Sequence, residues 1–327
     1  MILRFTASSD FDFITQFAEQ INMPIKDNLL EIPKSMGEGF VRKITFREDF
    51  RLLIHRYTLK EDFVIQRNPA VEMNDLLSIF FYNNEQPLDM NYNEDGYLPF
   101  SQNSNSAVQV TTNDFSSTIR FPANTPTQYM VVGITASKLK TLLSIENANS
   151  TIKTITTEKA SFLFFESMDA EMKLLLKNIA NTTMTDALSH FYIQIKVLEL
   201  LYLLFRRLSI RENKSYRSIN NTDAEKLMMI RNEILQDLSA PPILNELAQM
   251  AAMSATKLNK LFKQTFGDSI YNYFQTARME EAAFLLKQAN RSVSETGYEL
   301  GFSNLSHFSR LFKKYFGMTP KNYSLNR

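Results

Sequence analysis

Two stretches near the end of the chain carry hydrogen-bonding and cationic side chains at helical spacing. One helical face would hold Thr256, Asn259, Lys260 and Lys263, and a second would hold Ser306, Ser309, Arg310 and Lys313. Residues three or four positions apart share one face of a helix. Short polar groups can hydrogen-bond to base edges, and cations bind phosphates. Because neither face carries a carboxylate, this chemistry suits the surface of a nucleic acid.

These two faces belong to an internal repeat with an offset of 50 residues. The segment Leu261–Tyr273 aligns with Leu311–Tyr323, and seven of the 13 aligned positions are identical. Unrelated segments would share about one position at average residue frequencies. A solvated, mildly basic face would explain either helix alone, but the same placement in both copies argues against that explanation. Each copy is therefore expected to be one supersecondary unit.

Each copy predicts a helix, a tight turn and a second helix, which is the helix-turn-helix arrangement. The first copy predicts helices over 243–251 and, after the turn Ala252-Met253 and the N-cap Ser254, up to Phe266 and Gly267. The second predicts a helix over 293–300, the turn Gly301-Phe302, an N-cap at Ser303 or Asn304, and a helix that ends at Phe316 before Gly317. Glycine is the usual residue just past a helix C-terminus.

A long helix over 270–288 is predicted to join the two copies. For both units to contact one side of a duplex, their second helices must lie about one DNA turn, ~34 Å, apart. The apolar residues of those helices also follow helical spacing and predict the buried faces: Leu258, Leu261, Phe262 and Phe266 in the first, and Phe308, Leu311, Phe312 and Phe316 in the second.

Composition restricts the remaining classes of function. The chain has 327 residues, which favours two domains, and it contains no cysteine. Its three histidines, His55, His190 and His307, are far apart and lie near no nucleophile motif, and no glycine-rich phosphate loop follows Gly37 and Gly39. The sequence therefore predicts a protein that is not an enzyme, with no metal and no cofactor.

Charge and hydropathy add two expectations. Residues 223–327 hold 13 Lys and Arg against 10 Asp and Glu, so the position of the cations, rather than their sum, makes the case for nucleic acid. Residues 1–13 lack the apolar run of a signal peptide, and the apolar stretch 191–205 is shorter than the ~20 residues of a membrane span. We expect a cytoplasmic protein without a membrane partner.

The first 208 residues predict a separate domain. Alternating and apolar segments over 39–46, 51–59, 63–66, 76–82 and 128–134 predict strands, with a polar turn region over 83–106. The β-rich part is 36–135 and the helical part 137–208, where helices are predicted over 137–145, 169–180 and 186–208. The last helix has an apolar stripe of Phe191, Ile195, Leu198 and Tyr202, which either packs inside the domain or forms a homodimer interface.

The predicted fold class is thus α+β. Residues 1–208 are expected to form a barrel or sandwich-like N-terminal domain with flanking helices. A linker over 209–221 follows. Residues 222–327 are expected to form an all-α domain with two helix-turn-helix units joined by a long helix. Thr222 followed by Glu225 predicts a capping box at the start of the second domain.

Residues 224–323 resemble the AraC/XylS family of bacterial transcription regulators. The strongest part is the segment from Gly301 to Pro320, which is close to the family signature, and Ala277-Arg278-Met279 resembles its linker helix. The resemblance implies base contacts from Thr256, Asn259 and Lys260 in the first unit and from Leu305, Ser306, Ser309 and Arg310 in the second. It also implies promoter DNA and RNA polymerase as partners.

Two positions depart from the family pattern. Thr296-Gly297 stands where the family usually has Ile-Ala, and Ala252 replaces the usual glycine of the first turn. The first departure predicts weaker helix packing in the second unit. A regulator that binds proteins and has lost its DNA contacts is the contrasting hypothesis, and the cations at Lys260, Lys263, Arg310 and Lys313 argue against it.

A looser resemblance reaches the subgroup of regulators that respond to ferric siderophores such as pyochelin. It rests on 191–201, Pro241-Pro242, 257–262 and the N-terminal segments Gly37-Glu-Gly39 and 50–53. It implies an activator whose N-terminal domain senses a small molecule. Candidate lining residues are Phe46, Phe63, Phe80, Tyr82 and Tyr129, with Arg42, Arg47, Arg51, Arg56 and Arg120 for an anionic ligand. Core packing and surface ion pairs are the alternative roles of these residues.

Overall fold

The computed structural model of the chain describes residues 1–6, 12–70, 74–84, 88–91, 98–100, 107–157, 160–184, 186–211, 216–288 and 291–325. The chain divides into two compact units, Met1–Glu225 and Lys226–Arg327. The first combines strands with helices, and the described residues of the second are helices and turns. The predicted α+β fold, with a β-rich N-terminal region and a helical C-terminal region, is confirmed.

Two β-sheets build the first unit. Its strands are β1 (Ile2–Thr6), β2 (Leu29–Glu31), β3 (Gly37–Arg47), β4 (Phe50–Leu59), β5 (Phe63–Asn68), β6 (Leu76–Tyr82), β7 (Leu88–Asn91), β8 (Leu98–Phe100), β9 (Val108–Thr111), β10 (Ser117–Phe121), β11 (Thr127–Thr135) and β12 (Leu163–Glu166). The smaller sheet has the order β1-β5-β10-β7-β8, and the larger has the order β12-β9-β6-β11-β4-β3-β2. In the smaller sheet, β1 pairs with β5 in parallel.

Helices cover one face of the larger sheet. The helices of this unit are α1 (Phe13–Gln20), α2 (Ala136–Leu143), α3 (Ser150–Thr157), α4 (Ala170–Asn181) and α5 (Ser189–Ser209). Alternate residues of the sheet, such as Leu52 and Ile54 of β4 and Met130 and Val132 of β11, share one buried cluster with Val197 and the other inward residues of α5. The intervening residues of these strands face the other way, as the period of two requires.

The second unit contains the predicted repeat. After α6 (Asn221–Gln236), its helices are α7 (Leu244–Met250), α8 (Ala255–Phe266), α9 (Ile270–Lys287), α10 (Val293–Glu299), α11 (Leu305–Phe316) and α12 (Pro320–Leu325). All four repeat helices, α7, α8, α10 and α11, lie within the predicted spans. Gly267 and Gly317 end α8 and α11 in the left-handed conformation, as predicted.

The two copies share one aromatic arrangement. In the first, the ring centroids of Phe262 and Phe266 are 4.5 Å apart, and both rings contact Tyr273. In the second, Phe312 and Phe316 are 4.6 Å apart and contact Tyr323. Each residue lies 50 positions after its counterpart. Each copy therefore buries the apolar face of its second helix against the helix that follows.

Several expectations about the first unit were wrong. Strands β1, β2 and β12 lie outside the region predicted as β-rich. Strands β1 and β12 join the sheets by pairing with strands that are distant in the sequence. The polar segment 83–106 holds β7 and β8, and most of its other residues lie outside the described part of the chain. Helix α5 exposes Phe191, Ile195 and Tyr202. Leu198, the fourth residue of the predicted stripe, is half-buried and packs against the core, so packing inside the unit explains only that residue.

The segment around residue 220 also differs from expectation. Helix α6 begins at Asn221, and the side chain of Asn220 accepts a hydrogen bond from the amide of Asp223 at 2.7 Å. The predicted capping box of Thr222 and Glu225 is therefore wrong. Upstream, Tyr216 and Ile219 both donate hydrogen bonds to the carbonyl of Ser161 in the first unit. The domain boundaries 1–208, 209–221 and 222–327 stay a prediction.

Candidate nucleic-acid interface and ligand cavity

Helix α8 places four of the predicted contact residues on its outer side. Its start is fixed by Ser254, whose side chain accepts a hydrogen bond from the amide of Lys257 at 3.2 Å. Leu258, Leu261 and Phe262 are buried below the helix. The residues at the predicted interface stand on the other side, where Thr256 is exposed and the other three are half-buried: Asn259, Lys260 and Lys263.

Helix α11 repeats this arrangement in the second copy. Asn304, one of the two predicted caps, accepts hydrogen bonds from the amides of Ser306 and His307 at 2.9 and 3.0 Å. Phe308 and Phe312 are buried. On the outer side Ser306, Arg310 and Lys313 are exposed and Ser309 is half-buried. Lys314, which the sequence analysis did not single out, is exposed next to them.

Leu305 differs from the other predicted contact residues. A Cβ atom built on Gly297 of α10 would lie 2.6 Å from Cδ2 of Leu305 and 3.2 Å from Cδ1 of Phe308. The side chain of Leu305 thus packs against α10, and it is half-buried. The same close approach accounts for the glycine at 297, because a Cβ there would force the side chain of Leu305 to move. The weaker packing expected at this pair stays a prediction.

The turns of the two units share a backbone conformation. Ala252 has a φ of 47° and Gly301 a φ of 74°, and both follow the first helix of their unit. Alanine is uncommon in this left-handed region, because its Cβ crowds the following carbonyl. Gly301 faces a second constraint, since a Cβ there would lie 1.8 Å from the carbonyl oxygen of Ser239. The departure at Ala252 therefore stores strain in the first turn.

Two buried arginines hold α9 against its neighbours. Arg278 donates hydrogen bonds through Nε (2.7 Å) and Nη2 to the carbonyl of Leu300, the residue that caps α10. Burial lowers the pKa of the Arg278 guanidinium from its usual value. Arg231 of α6 donates from Nε to the hydroxyl of Tyr273 at 2.9 Å. Neither role was predicted from the sequence, because Arg278 lies on a helix that also carries Glu280, Glu281 and Lys287.

Together the outer sides of α8 and α11 can bind an anionic double helix. Each begins with a capped N-terminus and short polar side chains, and each ends with cations. Backbone amides at helix N-termini and small polar groups suit phosphates and base edges, and lysine and arginine neutralise phosphates. Within the described residues, the two outer faces carry no carboxylate on either helix. Their charge and hydrogen-bonding groups therefore complement DNA.

A separate cavity of about 100 Å³ lies between the two sheets of the first unit. The larger sheet contributes Arg51, Leu53 and His55 of β4, and Tyr129, Val131 and Gly133 of β11, which face each other in register. The smaller sheet contributes Ile65 and Arg67 of β5 and Ser117 and Ile119 of β10. These are the alternate residues that do not face the helices.

Aromatic rings close one end of this cavity. His55 stacks on Tyr129 with a centroid distance of 4.0 Å, and Tyr129 stacks on Phe121 of the opposite sheet at 5.6 Å. His55 is 1% exposed, and its Nδ1 has no hydrogen-bond partner among the described residues. Burial lowers the pKa of His55 to about 3, so the ring is neutral near pH 7.

The structure separates the residues that the sequence suggested for ligand binding. Phe80, Tyr129 and Arg51 line the cavity. The other three aromatic candidates make contacts elsewhere. Phe46 packs on Phe50 and His190, and Phe63 stacks on Phe17 and Phe121. Tyr82 donates a hydrogen bond to Gln109. Three of the candidate arginines are bound to other groups. Arg120 forms an ion pair with Asp62 at 2.7 Å. Arg42 donates a hydrogen bond to the carbonyl of Thr182, and Arg56 donates one to Asn181. Arg47 lies outside the cavity lining.

Three basic residues of the cavity lining, Lys43, His55 and Arg67, were not predicted from the sequence as ligand contacts. Their signal is the alternation of β3, β4 and β5, because every second residue of a strand faces the same side. Elsewhere, the described residues hold no group of three His, Cys, Asp or Glu that could bind a metal ion. None of the described helices is both long and apolar enough to span a bilayer.

Comparison with known families matches both units. A helix-turn-helix domain matches residues 247–326, and the N-terminal domain of the regulatory protein PchR matches residues 36–218, more than half of the chain. The first match covers α8, α9, α10 and α11, which carry or position the outer faces described above. The second covers the strands that line the cavity, apart from β1.

Curated relatives are similar over part of the chain. An uncharacterized HTH-type transcriptional regulator of Haemophilus influenzae is 32% identical over 149 residues, 45% of this chain and 47% of the relative. The HTH-type transcriptional activator RhaR of Mannheimia succiniciproducens is 24% identical over 51% of this chain and 58% of the relative. The multiple antibiotic resistance protein MarA of Escherichia coli is 30% identical over 33% of this chain and 85% of MarA. The chain thus spans about half the length of the first two relatives.

Proposed function

Since the chain belongs to the AraC/XylS family of transcription regulators and carries a PchR-type N-terminal domain, we propose that it binds specific promoter DNA through α8 and α11. The second unit reads the DNA, and the first senses a small molecule. Promoter DNA is the partner, so the protein acts in the cytoplasm. The relative RhaR is named as an activator, and we extend that role to this chain, with RNA polymerase as a further partner.

The observation that carries this proposal is the repetition of one polar, carboxylate-free helix face. Asn259 and Lys260 in α8 correspond to Ser309 and Arg310 in α11, and each pair stands opposite a buried apolar face. Asparagine and arginine are the side chains that form bidentate contacts with adenine and guanine. Helix α9 is proposed to act as the linker helix that spaces the two readers about one DNA turn, ~34 Å, apart.

The experiment is selection of bound sequences from a random duplex pool, with the full chain at near-physiological salt. We expect two enriched blocks about 10 bp apart. The double variant Asn259→Ala/Lys260→Ala should lose the enrichment while keeping its fold, because neither side chain is buried. The variant Lys140→Ala removes one exposed cation from the first unit and serves as control. Binding without sequence preference, or unchanged enrichment by the double variant, would refute the assignment of the reading helices.

The effector is proposed to bind in the cavity of the first unit and to shift the population between DNA-competent and incompetent arrangements. The PchR-type domain makes a ferric siderophore one effector to try. The test is a titration of the full chain with ferric pyochelin, followed by DNA binding with and without the ligand. A change in DNA affinity supports the effector role, and an unchanged affinity excludes this siderophore.

A homodimer through α5 is part of the same proposal. The exposed residues Leu188, just before the helix, and Phe191, Ile195 and Tyr202 within it are spaced by three, four and seven positions. This is the spacing of the apolar seam between two paired helices. Exposed apolar stripes of this kind mark interaction sites on regulators and other proteins. A second copy of the chain, with an identical stripe, is the partner we propose.

A further inference from the structure

The first unit has a second, larger opening, a polar groove beside α4. Its volume is about 950 Å³, within the range of small-molecule sites. The ends of β3, β4 and β11 and the residues just after β6 form its floor, and α4 forms one wall. None of its described lining residues belongs to the cavity between the two sheets. The groove is therefore a separate place for a ligand.

The alternation of the strands brings polar side chains onto this floor. Arg56 of β4 pairs in register with Gln128 of β11. Both lie on the side of the sheet that faces the helices, because each is two residues from a strand residue of the buried cluster. The carbonyl of Gln128 accepts a hydrogen bond from the amide of Asn83 at 3.0 Å, and its amide donates to the side chain of Asn84 at 2.5 Å. These bonds fix the floor before any ligand binds.

Two cations stand where α4 meets this floor. Nη1 of Arg56 donates a hydrogen bond to Oδ1 of Asn181, the last residue of α4, at 3.3 Å. Lys177 lies one turn before Asn181 on the same face of the helix, a spacing of about 5–6 Å between Cβ atoms. No described carboxylate forms an ion pair with Arg56 or Lys177. An anion between these two like charges would therefore be attracted by both.

The rest of the groove offers groups that accept as well as donate hydrogen bonds. They include two amides, a hydroxyl and one carboxylate: Asn83, Gln128, Thr58 and Glu38. Glu38 pairs in register with Thr58, two positions along β4 from Arg56. Tyr57 is the single aromatic residue among the described lining residues, and it is only 3% exposed. This part of the groove therefore suits a hydroxylated body rather than a stacked base.

From this arrangement we propose that the groove binds the phosphate ester of a small polyol or sugar. The phosphate lies between Arg56 and Lys177, and the hydroxyls lie against Glu38 and Gln128. Nε and Nη2 of Arg56 have no other partner among the described residues, and such a pair of parallel donors matches two phosphate oxygens. Lys173, on the same face of α4, is already engaged within the chain and is left out of the phosphate site. This second ligand goes beyond the proposed function.

The test is calorimetric titration of the full chain with glycerol 3-phosphate and with glucose 6-phosphate. Each ester is compared with its unphosphorylated parent and with inorganic phosphate. We expect at least one ester to bind about 10-fold or more tightly than its parent, because the parent lacks the charged hydrogen bonds to Arg56 and Lys177. The same ester should bind more tightly than inorganic phosphate, because its hydroxyls contact the floor. Equal binding of ester and parent, or an ester that binds no better than inorganic phosphate, would overturn the proposal.

Variants assign the binding to the groove. Lys177→Gln should weaken ester binding by about 10-fold and leave binding of the parent unchanged. Gln128→Ala should weaken ester binding and leave binding of inorganic phosphate unchanged. Two matched controls remove cations of the first unit outside the groove: Lys140→Gln, at an exposed position of α2, and Arg51→Gln, in the cavity between the sheets. If Lys177→Gln bound the ester as tightly as these controls, the phosphate would lie elsewhere.

The DNA experiment separates this inference from the proposed function. Failure of both esters to bind, together with normal DNA selection by the wild-type chain, refutes the ligand class and leaves the regulator standing. Ester binding that depends on Lys177, without any DNA selection, supports the groove as a site and refutes the regulator.

Discussion

The guanidinium carbon of Arg278 lies 3.7 Å from the centroid of the Phe302 ring. Arg278 belongs to α9, and Phe302 belongs to the turn that precedes α11. The same guanidinium donates hydrogen bonds to the carbonyl of Leu300 at the end of α10. One side chain therefore fixes the position of the second helix-turn-helix unit on α9, through a cation–π contact and a capped helix end.

Substitution of Arg278 should loosen the second unit. We expect Arg278→Met to lower the free energy of unfolding by about 2–4 kcal/mol, because it leaves the buried Leu300 carbonyl without a partner. Hydrogen exchange of the full chain should show faster exchange in α10 and α11. Arg291→Met is the matched control, since the ion pair of Arg291 with Glu299 is largely exposed and should contribute less than about 1 kcal/mol. Equal effects of the two variants would contradict a special role for Arg278.

Opposite substitutions in the two turns should have opposite effects. Ala252→Gly should raise the free energy of unfolding by roughly 0.5–1 kcal/mol, because it relieves an alanine in the left-handed region. Gly301→Ala should lower it by about 3 kcal/mol or more, since it adds a Cβ next to the Ser239 carbonyl as well as an unfavourable φ. Urea titrations of both variants test this pair. A destabilised Ala252→Gly would show that Ala252 is unstrained.

The helical unit could be predicted almost residue by residue from sequence. The residues that cap and end its helices are local signals, and both copies of the repeat contain one of each: Ser254 and Gly267 in the first, Asn304 and Gly317 in the second. The sequence could not show that Leu305 turns toward Gly297, because that contact depends on how closely α10 approaches α11. It also could not distinguish Arg278 as a buried contact from a cation at the interface.

The first unit was less predictable for a physical reason. Local alternation identified β3, β4 and β5, and continuous apolar runs identified β6 and β11. Strand β12 is apolar without alternation, and it joins the larger sheet only by pairing with β9 about 55 residues earlier. The cavity follows from the packing of two sheets. Sequence could name Arg51 as a candidate, but only the packing of the sheets places it on the same cavity as Arg67.

Single cations on the reading helices should separate base contact from phosphate contact. Arg310→Ala should cost about 1–3 kcal/mol of binding and relax the preference at one position of the site, if the side chain reads a base. Lys313→Ala should weaken binding to all DNA sequences alike. It should also reduce the salt dependence of binding by the contribution of about one phosphate contact. Binding isotherms at three salt concentrations test both. If Lys313→Ala instead relaxed the base preference at one position of the DNA site, Lys313 would contact a base rather than a phosphate.

Buried His55 should make stability fall in mild acid. The folded chain keeps His55 neutral down to a pKa of about 3, whereas the unfolded chain protonates it near 6.5. Lowering the pH from 6.5 toward 3 therefore favours the unfolded chain, with a limiting slope of about 1.4 kcal/mol per pH unit. Urea titrations from pH 7 to 4.5 should show a shallower loss for His55→Phe than for the wild type. Parallel losses would mean that His55 takes up a proton without unfolding.

The exposed stripe of α5 should determine the oligomeric state. Phe191 and Tyr202 are each 59% exposed, so replacing both with serine leaves the core cluster of the first unit intact. We expect the wild-type chain to sediment as a dimer and Phe191→Ser/Tyr202→Ser to sediment as a monomer with unchanged circular dichroism. Ile145→Ser, an exposed apolar residue just after α2, should remain dimeric. Because two half-sites bound by a dimer reinforce each other, the monomeric variant should also bind a paired site more weakly than the wild type and a single site equally well. A dimer that survives the double substitution would place the interface on another surface of the chain.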